Sequence, residues 1–146
     1  GLDIYKNRES LRKFVQEIQE NEIPVSLFID PIEEQLEASA SIGAIWIELH
    51  TGKYAEASWT DQPLELSKIR ESTIRANNLG LRVNAGHGLT YNNVEPIASI
   101  EGIEELNIGH TIVARSIAIG LKDAVHEMKL LIQNARTNRL FGEQLK

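Results

Sequence analysis

Cysteine is missing altogether, so neither a disulfide nor a thiolate metal site is available, and the chain fits a reducing, cytoplasmic setting. Long apolar runs are missing too: none approaches the roughly 20 residues that a membrane-spanning helix needs. Nor is there a basic surplus. With Lys and Arg at 15 against 21 Asp and Glu, the net charge is −6, which argues against nucleic acid or an anionic membrane as partner. No linker, low-complexity run or shift of composition divides the chain. Gly1 opens directly in folded-looking sequence, with neither a signal peptide nor an initiator methionine. What is present is 146 residues at 42% hydrophobic content, which suits one globular domain.

Short apolar runs at 23-IPVSLFID-30, 44-AIWIELH-50, 81-LRVNAGH-87 and 105-ELNIGH-110 read as strands. Helical spacing lies between and around them. Leu11, Phe14, Val15 and Ile18 form one stripe within 7–21. A second helix, 33–42, opens with acidic residues behind Pro31 and stops at Gly43. A third opens around Thr60 to Pro63 and closes near Asn78 and Gly80, and a short one follows Asn92 and Asn93. The last covers 121–135, with Leu121, Ala124, Val125, Met128, Leu131 and Ile132 on one face, and 136–146 is expected to be a loose polar tail. Strands that alternate with helices imply parallel pairing through right-handed crossovers.

The parity within the strands selects a fold. Val25, Leu27 and Ile29 alternate with Ser26 and Asp30. Ile45, Ile47 and Leu49 alternate with Trp46, Glu48 and His50. Val83 and Ala85 alternate with Arg82 and Asn84, and Leu106 and Ile108 with Asn107. A parallel sheet covered on both faces should read as nearly continuous aliphatic sequence. Here one face is aliphatic and the other carries ionisable groups, as in a barrel with helices outside and a polar interior. An α/β fold of the (β/α)₈ TIM-barrel type is therefore expected. Four strands cannot close such a barrel, which typically takes about 250 residues. The chain reads as one half, residues 1–135 being the C-terminal half and 136–146 the tail.

His50, His87 and His110 each fall at the C-terminal end of a strand, the end where βα barrels carry their active sites. Glycines stand beside them: Gly52, Gly86 and Gly88, Gly109. Loops after the last two strands of such barrels, with the N-terminus of a short extra helix, commonly hold phosphate. The segment 109-GHT-111, leading into 111-TIVARSIAIG-120, fits that role. Each histidine alone could simply cap local backbone, but three at equivalent positions weaken that reading. A three-histidine metal site is the sharper rival, although no carboxylate is spaced to stand behind these imidazoles. Glu48, inside an aliphatic strand, needs a partner or a task. It either pairs with Arg82 across the interior or acts in catalysis. Trp46 shares its parity and is expected to pack in the lower barrel, while His126 is expected to be exposed on the last helix.

The stretches 25-VSLFID-30, 46-WIELHTGKYA-55, 83-VNAGHGLTYNNV-94 and 105-ELNIGHTIVARSIAIGLKDAV-125, with Gly1-Leu2-Asp3, resemble the pyridoxine 5′-phosphate synthase family. The resemblance runs over nearly the whole chain. It implies a (β/α)₈ barrel that condenses 3-amino-2-oxopropyl phosphate with 1-deoxy-D-xylulose 5-phosphate to give pyridoxine 5′-phosphate, phosphate and water. No cofactor and no metal are implied, and the partners are the two phosphorylated substrates and further copies in a homo-oligomer, commonly an octamer. By resemblance His87 falls on the general acid and Glu48 on a glutamate that stabilises the transition state. Gly88 falls on a contact to the amine substrate, and Gly109 and His110 on the pair that holds its phosphate. The family's first half is not in the chain, which opens just after the fourth strand. Two alternatives stay open: a phosphosugar isomerase or aldolase on the same scaffold, and a non-catalytic phosphate-binding half barrel. An aldolase would want a strand lysine, and Lys53 only follows one.

Overall fold

Alternation of side chains along short strands decides which face of this sheet is covered. The computed structural model describes residues 1–144. It runs α1 (Arg8–Glu20), β1 (Ser26–Ile29), α2 (Glu33–Ser41), β2 (Trp46–His50), α3 (Gly52–Glu56), α4 (Gln62–Asn78), β3 (Arg82–Gly86), α5 (Val94–Ala98), β4 (Ile103–Asn107), α6 (His110–Ile119) and α7 (Leu121–Gln144). The strands form one parallel sheet in the order β1-β2-β3-β4. It is a partial barrel, and its β1 and β4 edges are not joined.

Leu27, Ile29, Ile47, Leu49, Val83 and Ala85 all point to one face and are buried. They pack with Leu36 of α2, Ile69 and Ala76 of α4, Ile97 of α5 and Val15 of α1 in a single core. Full burial of such an aliphatic side chain stabilises by about 1.5–3 kcal/mol. The opposite face carries Trp46, Glu48 and His50, all half-buried, and Asn84. α2 and α4 stop into the left-handed glycines Gly43 (φ +83°) and Gly80 (φ +81°), a conformation only glycine adopts cheaply.

Several expected boundaries shift, each for a local reason. β4 begins at Ile103 and ends at Asn107, and the pairing slips between Val83 and Asn84. Ile103 and Leu106 both belong to the covered face but stand three apart. A period of two cannot serve both, so one extra residue is absorbed there as a bulge. Ile45, expected in the covered set, is 46% exposed because the strand starts only at Trp46. Phe14, Leu121 and Val125 are likewise exposed, while Ala124, Met128 and Ala135 form the buried line of α7. The final helix does not end near Ala135: α7 continues to Gln144, so 136–144 is helix rather than a loose tail. Residues 145–146 of that expected tail lie outside the described residues. Among the described residues no helix is long and apolar enough to cross a membrane.

Candidate active site

Position along the strand determines what a side chain on the uncovered face can reach. At the N-terminal end, Trp46 and Arg82 are register partners. The Arg82 guanidinium lies 3.8 Å from the Trp46 ring centroid. It also forms a two-pronged ion pair with Glu104, with Nε donating to Oε1 at 2.8 Å and Nη2 to Oε2. Trp46 thus lies on the polar face as expected, under Arg82. The expected alternative of an Arg82–Glu48 pair does not form, because Glu104 and Trp46 take both the charge and the flat face of the guanidinium.

Glu48, two residues further up, has a different partner. Asn107 Nδ2 donates to its Oε2 at 2.6 Å, spanning β3. The span is open because Gly86 lies between them. A Cβ at Gly86 would collide with Glu48 Oε1 and stand 2.9 Å from the Asn107 carbonyl oxygen. A neutral amide fixes the carboxylate without neutralising it. Glu48 therefore turns a carboxyl group of fixed direction toward whatever enters.

At the strand ends the imidazoles gather. His50 and His87 have ring centroids 4.7 Å apart, and the Phe28 ring meets His50 edge-on at 5.0 Å. Asp30 Oδ1 lies 3.0 Å from His50 Nδ1. A carboxylate only accepts, so His50 Nδ1 carries the hydrogen of this contact. A carboxylate does therefore stand behind one of the histidines, contrary to the sequence expectation. Burial pushes the Asp30 carboxyl up, and the hydrogen bond from His50 pulls it down. No trio of His, Asp or Glu is arranged to hold an ion among the described residues. His126 is exposed on α7, as the sequence suggests.

A cavity of about 660 Å³ opens beside this group; His87 lines it, while His50 and Asp30 do not. Glu48, His87, Gly88, Gly109 and His110, the five sequence candidates, all line it, with Asn107 beside them. His87 sits in the left-handed region at φ +82°, followed by Gly88 at +74°. For a non-glycine residue that conformation costs on the order of 1–2 kcal/mol. The wall opposite is the start of α6. Its first turn has no side-chain cap, and the helical bonds begin with Val113 N–H to Gly109 O. Amides left unpaired at a helix N-terminus, with the helix dipole behind them, make a site for an anion. The cavity therefore combines a positive helix end, a fixed carboxylate and an imidazole, which suits proton transfer on a bound anionic substrate.

Two members of this arrangement escaped sequence reasoning. Asn107 and Asp30 fall on the polar parity, yet nothing in their spacing identifies Glu48 and His50 as their partners.

A model of the family described as pyridoxal phosphate biosynthesis protein PdxJ matches residues 1–134. Pyridoxine 5′-phosphate synthase of Prochlorococcus marinus (strain MIT 9313) is 64% identical over 142 residues, 97% of this chain and 58% of that protein. The protein of the same name from Synechococcus sp. (strain CC9311) is 60% identical over 142 residues, 97% of this chain and 57% of its own. The chain thus spans 58% and 57% of the length of these two relatives.

Proposed function

The chain belongs to the pyridoxal phosphate biosynthesis protein PdxJ family, and from that premise we propose that it supplies the acid–base and phosphate-holding part of a pyridoxine 5′-phosphate synthase. The reaction joins the amine of 3-amino-2-oxopropyl phosphate to the ketone of 1-deoxy-D-xylulose 5-phosphate, then closes the ring with loss of phosphate and water. Such a sequence needs repeated proton transfers near neutral pH, for which imidazole is suited. In this reading His87 is the general acid. Glu48, its carboxyl fixed by the Asn107 amide, stabilises cationic iminium character as it develops. Gly88 contacts the amine substrate, and Gly109 and His110 seat its phosphate at the start of α6.

The observation that carries this reading is the convergence of Glu48, His87 and the α6 N-terminus on one cavity. The remaining part of the relatives would cover the two open sheet edges and the polar face. A homo-oligomer, octameric by family resemblance, belongs to the same reading.

Reconstitution tests the proposal. The chain is produced together with the N-terminal part of the Prochlorococcus relative, and pyridoxine 5′-phosphate is measured after both substrates are added. Turnover is expected, and His87→Asn lowers it by about 10²–10⁴-fold with an unchanged thermal midpoint. Phosphate binding at α6 with no product from the completed protein would replace this reading with the non-catalytic one.

A further inference from the structure

His87 holds its place in spite of its backbone. Left-handed φ at a non-glycine residue persists only where the surroundings over-determine it. The surroundings here converge on α3. Thr51, the residue before that helix, is wholly buried. Its Oγ1 lies 2.8 Å from Gly86 O and 2.5 Å from His87 O, and its N–H donates to Gly86 O at 2.8 Å. One hydroxyl proton is thus shared between the carbonyl oxygens of two successive residues. A buried hydroxyl with only local needs would be satisfied by one acceptor.

The far side of the loop is gripped by the same short helix. Tyr54 of α3 donates its hydroxyl to Asn93 O at 2.8 Å. Asn93 in turn donates Nδ2 to Gly88 O at 3.2 Å and accepts Thr90 N–H at 2.6 Å. Gly52 leaves room above the helix: a Cβ there would come within 2.7 Å of His50 Nε2 and 3.2 Å of His87 Cδ2.

We propose that Thr51 is a positioning residue for His87, its hydroxyl holding the left-handed turn that presents the imidazole to the cavity. Loss of the hydroxyl then slows the chemical step while substrate binding stays intact. The kinetic part rests on His87 being the general acid; the conformational part does not.

The test uses the reconstituted protein with Thr51→Val, which keeps the shape and removes the donor, and Thr51→Ser, which keeps the donor. Thr51→Val is expected to lower kcat about 100-fold, the effect of a misplacement near 1 Å, with KM for the amine substrate changed less than about threefold. Thr51→Ser restores kcat to within about fivefold of the wild type. Without substrate, amide exchange at Gly88 and Leu89 becomes at least about tenfold faster in Thr51→Val and the His87 imidazole nitrogen resonances move, while Thr51→Ser stays close to the wild type. Should Thr51→Val not fold, Thr51→Ala carries the same expectations. A kcat unchanged by loss of the hydroxyl, or a serine variant as impaired as the valine one, overturns the proposal. So does unchanged loop exchange. A wild type without turnover whose loop still responds to Thr51→Val overturns the synthase reading alone.

Discussion

The two ends of the sheet's uncovered face handle charge in opposite ways. At the N-terminal end Arg82 is fully engaged by Glu104 and by the Trp46 ring. At the C-terminal end Glu48 is held by a neutral amide, and His87 and His110 line the same cavity of about 660 Å³. The first arrangement spends its electrostatics inside the chain and leaves nothing for a ligand. The second fixes direction without cancelling charge, which is what stabilisation of a developing cation requires. One face of one sheet thus separates a structural end from a chemical end.

The comparison breaks most sharply at Gly86. Gly86→Ala puts a Cβ against Glu48 Oε1 and the Asn107 carbonyl, so either the carboxylate or the β4 backbone must move. We expect a loss of kcat of about 100-fold in the reconstituted protein. Overpacking adds about 1–3 kcal/mol of destabilisation, read by denaturant unfolding. Near-normal kcat would mean that the placement of Glu48 does not matter to the chemistry.

Gly109→Val sharpens the comparison at the opposite wall. A Cβ there meets nothing within 4 Å, so the chain accommodates it and the added bulk enters the space in front of α6. The dissociation constant of the amine substrate is expected to rise about tenfold, equivalent to about 1.4 kcal/mol, with the thermal midpoint unchanged. Calorimetric titration reads it, and an unaltered constant would place the phosphate elsewhere.

What could be read in advance followed from period. The alternation in β2 and β3 is strict and assigns Ile47, Leu49, Val83 and Ala85 to the covered face, and all four are buried. Histidines and glycines at strand ends point to His87, Gly88, Gly109 and His110, and a carboxylate inside an aliphatic run points to Glu48; all five line one cavity. α3 was not legible, because five residues are too few to display a helical period. The register of β4 was hidden because its bulge depends on how Ile103 and Leu106 meet β3. The contacts that orient the site join residues far apart in sequence: Asn107 to Glu48 across 59 positions, Thr51 to His87 across 36 and His50 to Asp30 across 20. Spacing along a chain carries no mark of such pairs until the strands are laid side by side.

The smallest effect is expected at the structural end, and its sign follows from titration. The hydrogen bond from Arg82 holds the Glu104 carboxyl below its ordinary value of 4.5. A carboxyl depressed on folding adds stability that is complete above the unfolded value and disappears as pH falls through the folded one. The wild type should therefore exceed Glu104→Gln in thermal midpoint at neutral pH, by a small margin because the pair is exposed to water. That margin should shrink below about pH 4.5, as protonation makes Glu104 as uncharged as the glutamine. It should shrink with added salt as well, since screening acts on exposed pairs. Melting curves of the two proteins across pH check the sign, and turnover should be equal throughout. A fall in kcat in Glu104→Gln would show that the N-terminal end reaches the chemistry through β4, whose last residue, Asn107, carries the amide that orients Glu48.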